Sequence, residues 1–491
     1  VTPIGRAALA CLSVLAVASH AVAEPPAFTE TTCSLPDVSP AIAPLLRCGT
    51  VAVPRDDARP AAGRFNLAVV VVGSAQQPAL PDPVVYISGG PGGPLTIYAD
   101  YQARHPYATK RDLILVDQRG MGRSEPSLCP DLDGKMLGAD VNLAAAPGAA
   151  AQARRDALYA ACRREATASG IDLRDFGTRV TVADFEQVRQ ALGITRWNVV
   201  GESYGTTVAM TLAALHPDRV RSLTLDSLYP PDPLPLRSTI AAGARDAFFA
   251  ACERDAACAG AYPHLAALYA GALQRLDRNP LMVAAPSLLA RSDGRMRLSA
   301  SLFAVLVDNL LYYPGAYPGL PRLIAAAHAG DGDPIAASLA VEVASFTPLN
   351  LAATAAVECR DRPHLRDALP ASAKALDRMQ LNGVCGAWST LGPAPLIPTD
   401  TRIPTLILTG QFDPVAGPSL SRHVAGLIGR NARLIEFPLI GHNVRHFSPC
   451  AAAIVAEFIA APTSPLDTSC THHAAPIRFL PAFAAPRAAA P

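Results

Sequence analysis

The sequence predicts an α/β fold, a mostly parallel, doubly wound sheet interrupted by a helical insertion. Three observations carry that expectation. Apolar runs at 83–87, 112–116, 197–200 and 220–226 are interleaved with helix-like segments, an order that builds parallel crossovers. A proline-dense break at 229–235 opens a long stretch without strand alternation, and strand-like runs resume at 404. Between the run ending at Val200 and a helix-like segment at 206–215 stands Gly201-Glu202-Ser203-Tyr204-Gly205. A strand, Gly-x-Ser-x-Gly and a helix together form the context of a nucleophile elbow, whereas the five residues alone are a weak signal.

Residues 1–23 read as a signal peptide. Arg6 supplies the basic start, 7–18 are apolar but too few to span a bilayer, and Ala21-Val22-Ala23 is a small-residue cleavage site. The mature chain is expected to begin at Glu24, secreted or periplasmic, with no stable membrane insertion after cleavage. Of eleven cysteines, Cys11 falls in this segment and ten follow. An even number in an exported chain predicts disulfides between sequence neighbours, although sequence alone leaves connectivity open. No Cys/His spacing suggests a metal, and no cofactor is expected. Half of the 491 residues are apolar, the net charge is +1 and only three lysines occur, so no nucleic-acid partner is expected.

The remaining elements follow in order. Residues 24–228 are expected to form the first part of the sheet domain, 229–400 a helical cap, 401–473 the second part, and 474–491 a poorly ordered Ala/Pro-rich tail. Strands are predicted at 49–53 and 65–72, and 126–178 reads as a polar, alanine-rich insertion. The run at 83–87 leads into Ser88-Gly89-Gly90-Pro91-Gly92-Gly93-Pro94. Glycine at that density lets another group approach the backbone, which suits an oxyanion hole. Pro91 has no N–H to give, so Gly90 is the preferred donor, joined by Tyr204 after the serine. A phosphate loop is disfavoured because no Lys-Ser/Thr follows. Asp117 and Arg119, at the next strand end, are expected to bond to each other and hold their loop. An amphipathic helix is predicted at 182–192. In the cap, helices are predicted at 237–251, 265–276, 299–312 and 321–329. There Tyr312, Tyr313 and Tyr317 either line a cleft or pack. The last strands are 404–409 and 433–437, before a closing helix at 451–460.

A serine hydroxyl is a weak nucleophile and needs a base, which needs an orienting acid. Ser203, Asp413 and His442 follow three predicted strands in that chain order, the order of an α/β-hydrolase triad. His446 and Asp400 are the nearest competitors for the base and the acid.

With these residues in place, the chain resembles the secreted α/β-hydrolase peptidases of the tripeptidyl aminopeptidase and proline iminopeptidase group. The resemblance rests on Gly89-Gly90-Pro91-Gly92-Gly93, on Asp117-Gln118-Arg119-Gly120-x-Gly122-x-Ser124, and on Gly201 to Thr206. Gly410-x-x-Asp413-Pro414, Gly441-His442, Cys359-Arg360-Asp361 and Cys385-Gly386-Ala387-Trp388 complete it. It runs roughly from 45 to 460. It implies a helical cap over the site, a peptide substrate, and cleavage near free N-termini. In such enzymes a cap carboxylate can hold the substrate's α-ammonium, which makes Glu358 and Asp361 candidates. Glu202 either touches substrate or bonds within the core. Ser88 and Tyr204 stand where proline iminopeptidases usually have His and Trp, which favours the tripeptidyl type. A carboxylesterase using the same triad, or a serine carboxypeptidase-like exopeptidase with a similar Gly-Glu-Ser-Tyr-Gly elbow, are the alternatives.

Overall fold

A computed structural model of the chain describes residues 26–136, 148–231, 237–284, 294–344, 349–362, 382–388, 390 and 392–482. The expected signal segment lies outside them. Nine strands form one sheet: β1 (Phe28–Thr31), β2 (Leu46–Pro54), β3 (Arg64–Val72), β4 (Val84–Ile87), β5 (Leu113–Val116), β6 (Trp197–Glu202), β7 (Val220–Asp226), β10 (Thr405–Gly410) and β11 (Ala432–Phe437). Their order is β1-β2-β3-β5-β4-β6-β7-β10-β11. The first three pairings are antiparallel and every pairing from β5 onward is parallel.

The central strands are rich in Val, Ile and Leu and almost wholly buried, as expected where helices cover both faces. Alternate residues feed opposite cores. Val85, Ile114, Val199, Leu223 and Ile407 pack with Phe185 and Val208 from the helices Thr178–Ala191 and Tyr204–Leu215. Val84, Leu113, Val200 and Leu406 pack instead with Val455 and Phe458 from the closing helix Pro449–Ala460. Register then matters for function. Gly201 pairs Leu225, Glu202 pairs Asp226, and Leu408 also pairs Asp226, so β6 and β7 end at one level and β10 runs two residues further, to Gly410.

The segment between β7 and β10 is mostly helical and has its own apolar core around Phe248, Tyr269, Phe303 and Ile324. Phe412, beside Asp413, is buried in that core with its ring 5.5 Å from Phe248 and 5.4 Å from Tyr317. The insertion thus grips the loop after β10.

Four features differ from the sequence expectation. Phe28–Thr31 forms an edge strand in a segment without a clear pattern. The insertion contains an antiparallel hairpin, β8 (Leu281–Ala284) with β9 (Arg295–Leu298). The tail is docked up to residue 482: Leu480 N–H donates to Pro318 O at 2.8 Å, and Phe479 packs 6.0 Å from Phe248. Asp117 and Arg119 hold their loop, but not through each other. Asp117 accepts from the amides of Leu95, Thr96 and Arg123 at 2.6, 2.8 and 2.9 Å. Arg119 clasps Asp184 through Nε and Nη2 at 2.7 and 2.5 Å. The partners come from distant segments, so spacing could not reveal them.

The five expected neighbour disulfides are present: Cys33–Cys48, Cys129–Cys162, Cys252–Cys258, Cys359–Cys385 and Cys450–Cys470. Among the described residues no helix is long and apolar enough to cross a membrane.

The Arg119 and Asp184 side chains are 1% and 4% exposed, so removing one charge strands the other. Asp184→Asn is expected to cost about 3–5 kcal/mol, read as a lowered midpoint in urea unfolding under non-reducing conditions. An unchanged midpoint would show that Arg119 is not left stranded by the loss of the Asp184 charge.

Candidate active site

Sterics build the elbow. Ser203 has φ 54° and ψ −126°, a sparsely populated conformation that costs a non-glycine residue on the order of 1–3 kcal/mol. A Cβ on Gly201 would lie 2.6 Å from Gly205 O, and one on Gly205 would lie 2.1 Å from Ile87 O. Strand and helix backbones pass too closely for side chains at either position. Ser203 occupies the N-cap position of helix Tyr204–Leu215, yet its side chain makes no capping bond. The hydroxyl is therefore not spent on the helix, which argues against a merely capping serine.

The glycine loop lies against this hydroxyl. A Cβ on Gly89 would sit 2.5 Å from Ser203 Cβ and 3.0 Å from its Oγ. Gly90 follows with φ +126°, where a Cβ would collide with Gly92 N at 2.8 Å. The Tyr204 amide opens the helix at the positive end of its dipole. The loop is braced from the insertion, since Asn350 N–H donates to Gly92 O at 2.9 Å and Thr354 Oγ1 to Pro91 O.

His442 Nδ1 lies 2.8 Å from Asp413 Oδ2, and both side chains are buried. Asp413 Oδ1 also accepts from the amides of Val415 and Ala416 at 2.8 and 2.7 Å. Burial alone would raise the Asp413 carboxyl, but the His442 charge and hydrogen bond, with these amides, hold it below the usual range. Burial pulls the His442 imidazole down, yet the Asp413 charge and hydrogen bond outweigh it and raise it above the ordinary histidine value. The competitors lie elsewhere in the network. His446 Nδ1 meets Tyr101 OH at 2.8 Å, and Asp413, not Asp400, sits on the His442 ring.

The serine turn and the histidine turn share an anchor that sequence reasoning missed. Asp226 O accepts from Ser203 N–H at 3.0 Å. Its carboxylate accepts from the amides of Val444 and Arg445, both at 2.9 Å. Ser227 Oγ accepts from Asn443 N–H at 2.7 Å. Burial, then the Glu202 charge, hold the Asp226 carboxyl above its usual range. Arg445 is also buried; it donates to Glu202 Oε2 at 3.1 Å and to Tyr107 OH at 2.9 Å, and lies over the Tyr86 ring. Glu202 is thus engaged in a core ion pair rather than left open to the cleft. An aspartate closing a strand carries no motif, so only the sheet register exposes this corner.

The other candidates lie behind the elbow. Asp361 accepts from the Thr178 amide and hydroxyl, and the Tyr204 hydroxyl reaches Thr178 Oγ1 at 2.9 Å. Burial, offset by the Thr178 bonds, pushes the Asp361 carboxyl up to about 7. Glu358 Oε2 pairs with Arg362 Nε at 2.9 Å, each side chain 4% exposed. Tyr317 is buried with its hydroxyl on Leu311 O, whereas Tyr312 flanks the His442 ring at 4.9 Å. No group of three or more His, Cys, Asp or Glu among the described residues is arranged to hold a metal ion.

A strained serine between glycines at the carboxyl edge of the parallel strands, and an Asp-paired histidine whose turn shares the Asp226 anchor with it, have the features of a hydrolase-type elbow. The family model described as "alpha/beta hydrolase fold" matches residues 82–449, and the chain belongs to that family. It is 32% identical over 198 residues to a tripeptidyl aminopeptidase of Streptomyces coelicolor, covering 38% of this chain and 36% of that protein. It is 31% identical over 147 residues to a proline iminopeptidase of Xylella fastidiosa, covering 30% and 32%. It is 29% identical over 226 residues to serine protease Hip1 of Mycobacterium bovis, covering 43% and 42%. The chain spans well under half the length of these curated relatives.

The geometry predicts how His442 titrates. With histidine-labelled protein followed by NMR, its midpoint is expected above about 6.5, and Asp413→Asn is expected to lower it. A midpoint that does not move would contradict the pairing.

Proposed function

We propose that the chain is an exported serine hydrolase that removes short peptides or residues from the free N-termini of peptides. The observation that carries this reading is the His442–Asp413 pair, tied through Asp226 to the turn of an elbow serine whose hydroxyl caps nothing. The names of the relatives supply the substrate class.

His442, held by Asp413 through Nδ1, takes the Ser203 proton as Oγ attacks the scissile carbonyl. The amides of Gly90 and Tyr204 receive the oxyanion charge, an interaction formed in the transition state. The imidazolium then protonates the leaving amine, the C–N bond breaks, and an acyl-enzyme remains. Water, activated by the same imidazole, releases the acyl group and restores the serine. The elevated His442 value keeps the imidazolium stabilised during transfer, and it requires the pH to exceed that value before the base is free.

Recognition of the α-ammonium by Glu358 or Asp361 would compete with Arg362 and Thr178, which already engage them. A carboxypeptidase reading needs Glu202 to receive a substrate carboxylate, and its pairing with Arg445 opposes that. Export is supported by the five disulfides, which persist in oxidising compartments.

A chromogenic panel tests the reading. Free-amine tripeptide p-nitroanilides are expected to be cleaved, with Asp413→Asn lowering kcat by roughly 10³–10⁴-fold, while N-acylated peptides and short-chain esters are poor substrates. Preference for blocked peptides or esters would overturn it.

A further inference from the structure

Five rings are joined by successive contacts that begin at His442. Tyr312 lies 4.9 Å from the His442 ring, Tyr313 5.9 Å from Tyr312, and Phe447 6.2 Å from Tyr313. His446 lies 4.5 Å from Phe447, and Tyr101 4.8 Å from His446. Each separation is that of directly packed rings. The rings are also open to solvent: Tyr313 is 39% exposed and Tyr101 36%, His446 is exposed, and Tyr312 and Phe447 are partly so. Scattered surface aromatics need no explanation, but a contiguous row beside a reactive centre marks a binding surface.

We propose that this row binds the part of a peptide substrate downstream of the scissile bond and selects proline or other ring-bearing side chains there. The proposal rests on the peptidase reading above and adds a subsite to it. Its direction follows from the chemistry. The acyl half of the substrate must face the Gly89–Gly90 loop, where Ser203 Oγ lies. The leaving nitrogen must face His442, which protonates it. The chain beyond that nitrogen therefore departs past the histidine, where the rings begin.

The row is held in place before substrate arrives. Tyr101 OH and His446 Nδ1 are 2.8 Å apart. Beneath them Arg445 is buried and paired with Glu202, and Asp226 fixes the amides of Val444 and Arg445, which begin the short helix Val444–Phe447. Rings already immobilised lose little entropy on binding, so contact with a proline or aromatic side chain is retained as affinity. Tripeptide p-nitroanilides end at a single ring and would sample only the first part of the row.

Two hexapeptides test the proposal, Ala-Ala-Ala-Ala-Pro-Phe and Ala-Ala-Ala-Ala-Gly-Gly. Calorimetry with the Ser203→Ala protein is expected to show the Pro-Phe peptide binding about tenfold tighter. The active protein is expected to cleave it with about tenfold higher kcat/KM, mainly through KM. Phe447→Ala and Tyr101→Ala, made separately in case one fails to fold, are each expected to reduce that ratio several-fold. They should affect the hexapeptide far more than a tripeptide p-nitroanilide. Cleavage of both hexapeptides with equal KM would overturn the ring row and leave the aminopeptidase reading standing. Preferential binding to Ser203→Ala without cleavage of either peptide by the active protein would support the row and overturn the aminopeptidase reading.

Discussion

The corner at the end of β7 is the constraint on which the site depends. Three atoms of Asp226, with Ser227 Oγ, tie the serine turn to the turn after His442. Asp226, the last residue of β7, is placed for this by register: it pairs Glu202 at the end of β6 on one side and Leu408 of β10 on the other. Neighbouring strands are about 4.8 Å apart, so the end of β7 lies within reach of the serine turn at the end of β6, while its side chains receive the turn after His442. Each charge-assisted bond to a buried carboxylate contributes on the order of 1.5–3 kcal/mol, comparable with the strain carried at Ser203.

Close packing does the rest of the positioning. The glycines at 89, 201 and 205 matter because backbones or the serine itself occupy the space a Cβ would need. Gly441 shows the same logic on the other side, where a Cβ would meet Leu311 O at 2.0 Å and Tyr312 O at 2.9 Å. The insertion thereby presses on the histidine turn, while Phe412 fixes the acid loop from within the insertion's core. The insertion thus touches both members of the Asp413–His442 pair while the sheet holds the histidine turn through Asp226, so the pair's geometry depends on both.

The parts of this arrangement legible in the sequence were those encoded locally. Gly201 to Gly205 declares its turn because the turn tolerates few residues, and the β-branched runs declare buried parallel strands. The Asp413–His442 contact was expected because each residue follows a late strand. Partnerships across long separations were not legible. Arg119 finds Asp184, and Arg445 finds Glu202 across 243 residues, choices made by the tertiary fold rather than by spacing. The hairpin of β8 and β9 escaped because four-residue strands in an alanine-rich, helical segment give too short a period-two signal. The C-terminal segment reads as low complexity, yet Ile477 and Phe479 supply enough apolar surface to dock on the insertion.

The central claim is that Ser203 is the activated nucleophile of this site. Labelling with a fluorophosphonate probe, followed by peptide mapping, tests it most directly. The account predicts a single adduct on Ser203, absent from Ser203→Ala and strongly slowed in His442→Gln. An adduct that persists in Ser203→Ala, or labelling indifferent to His442, would contradict it.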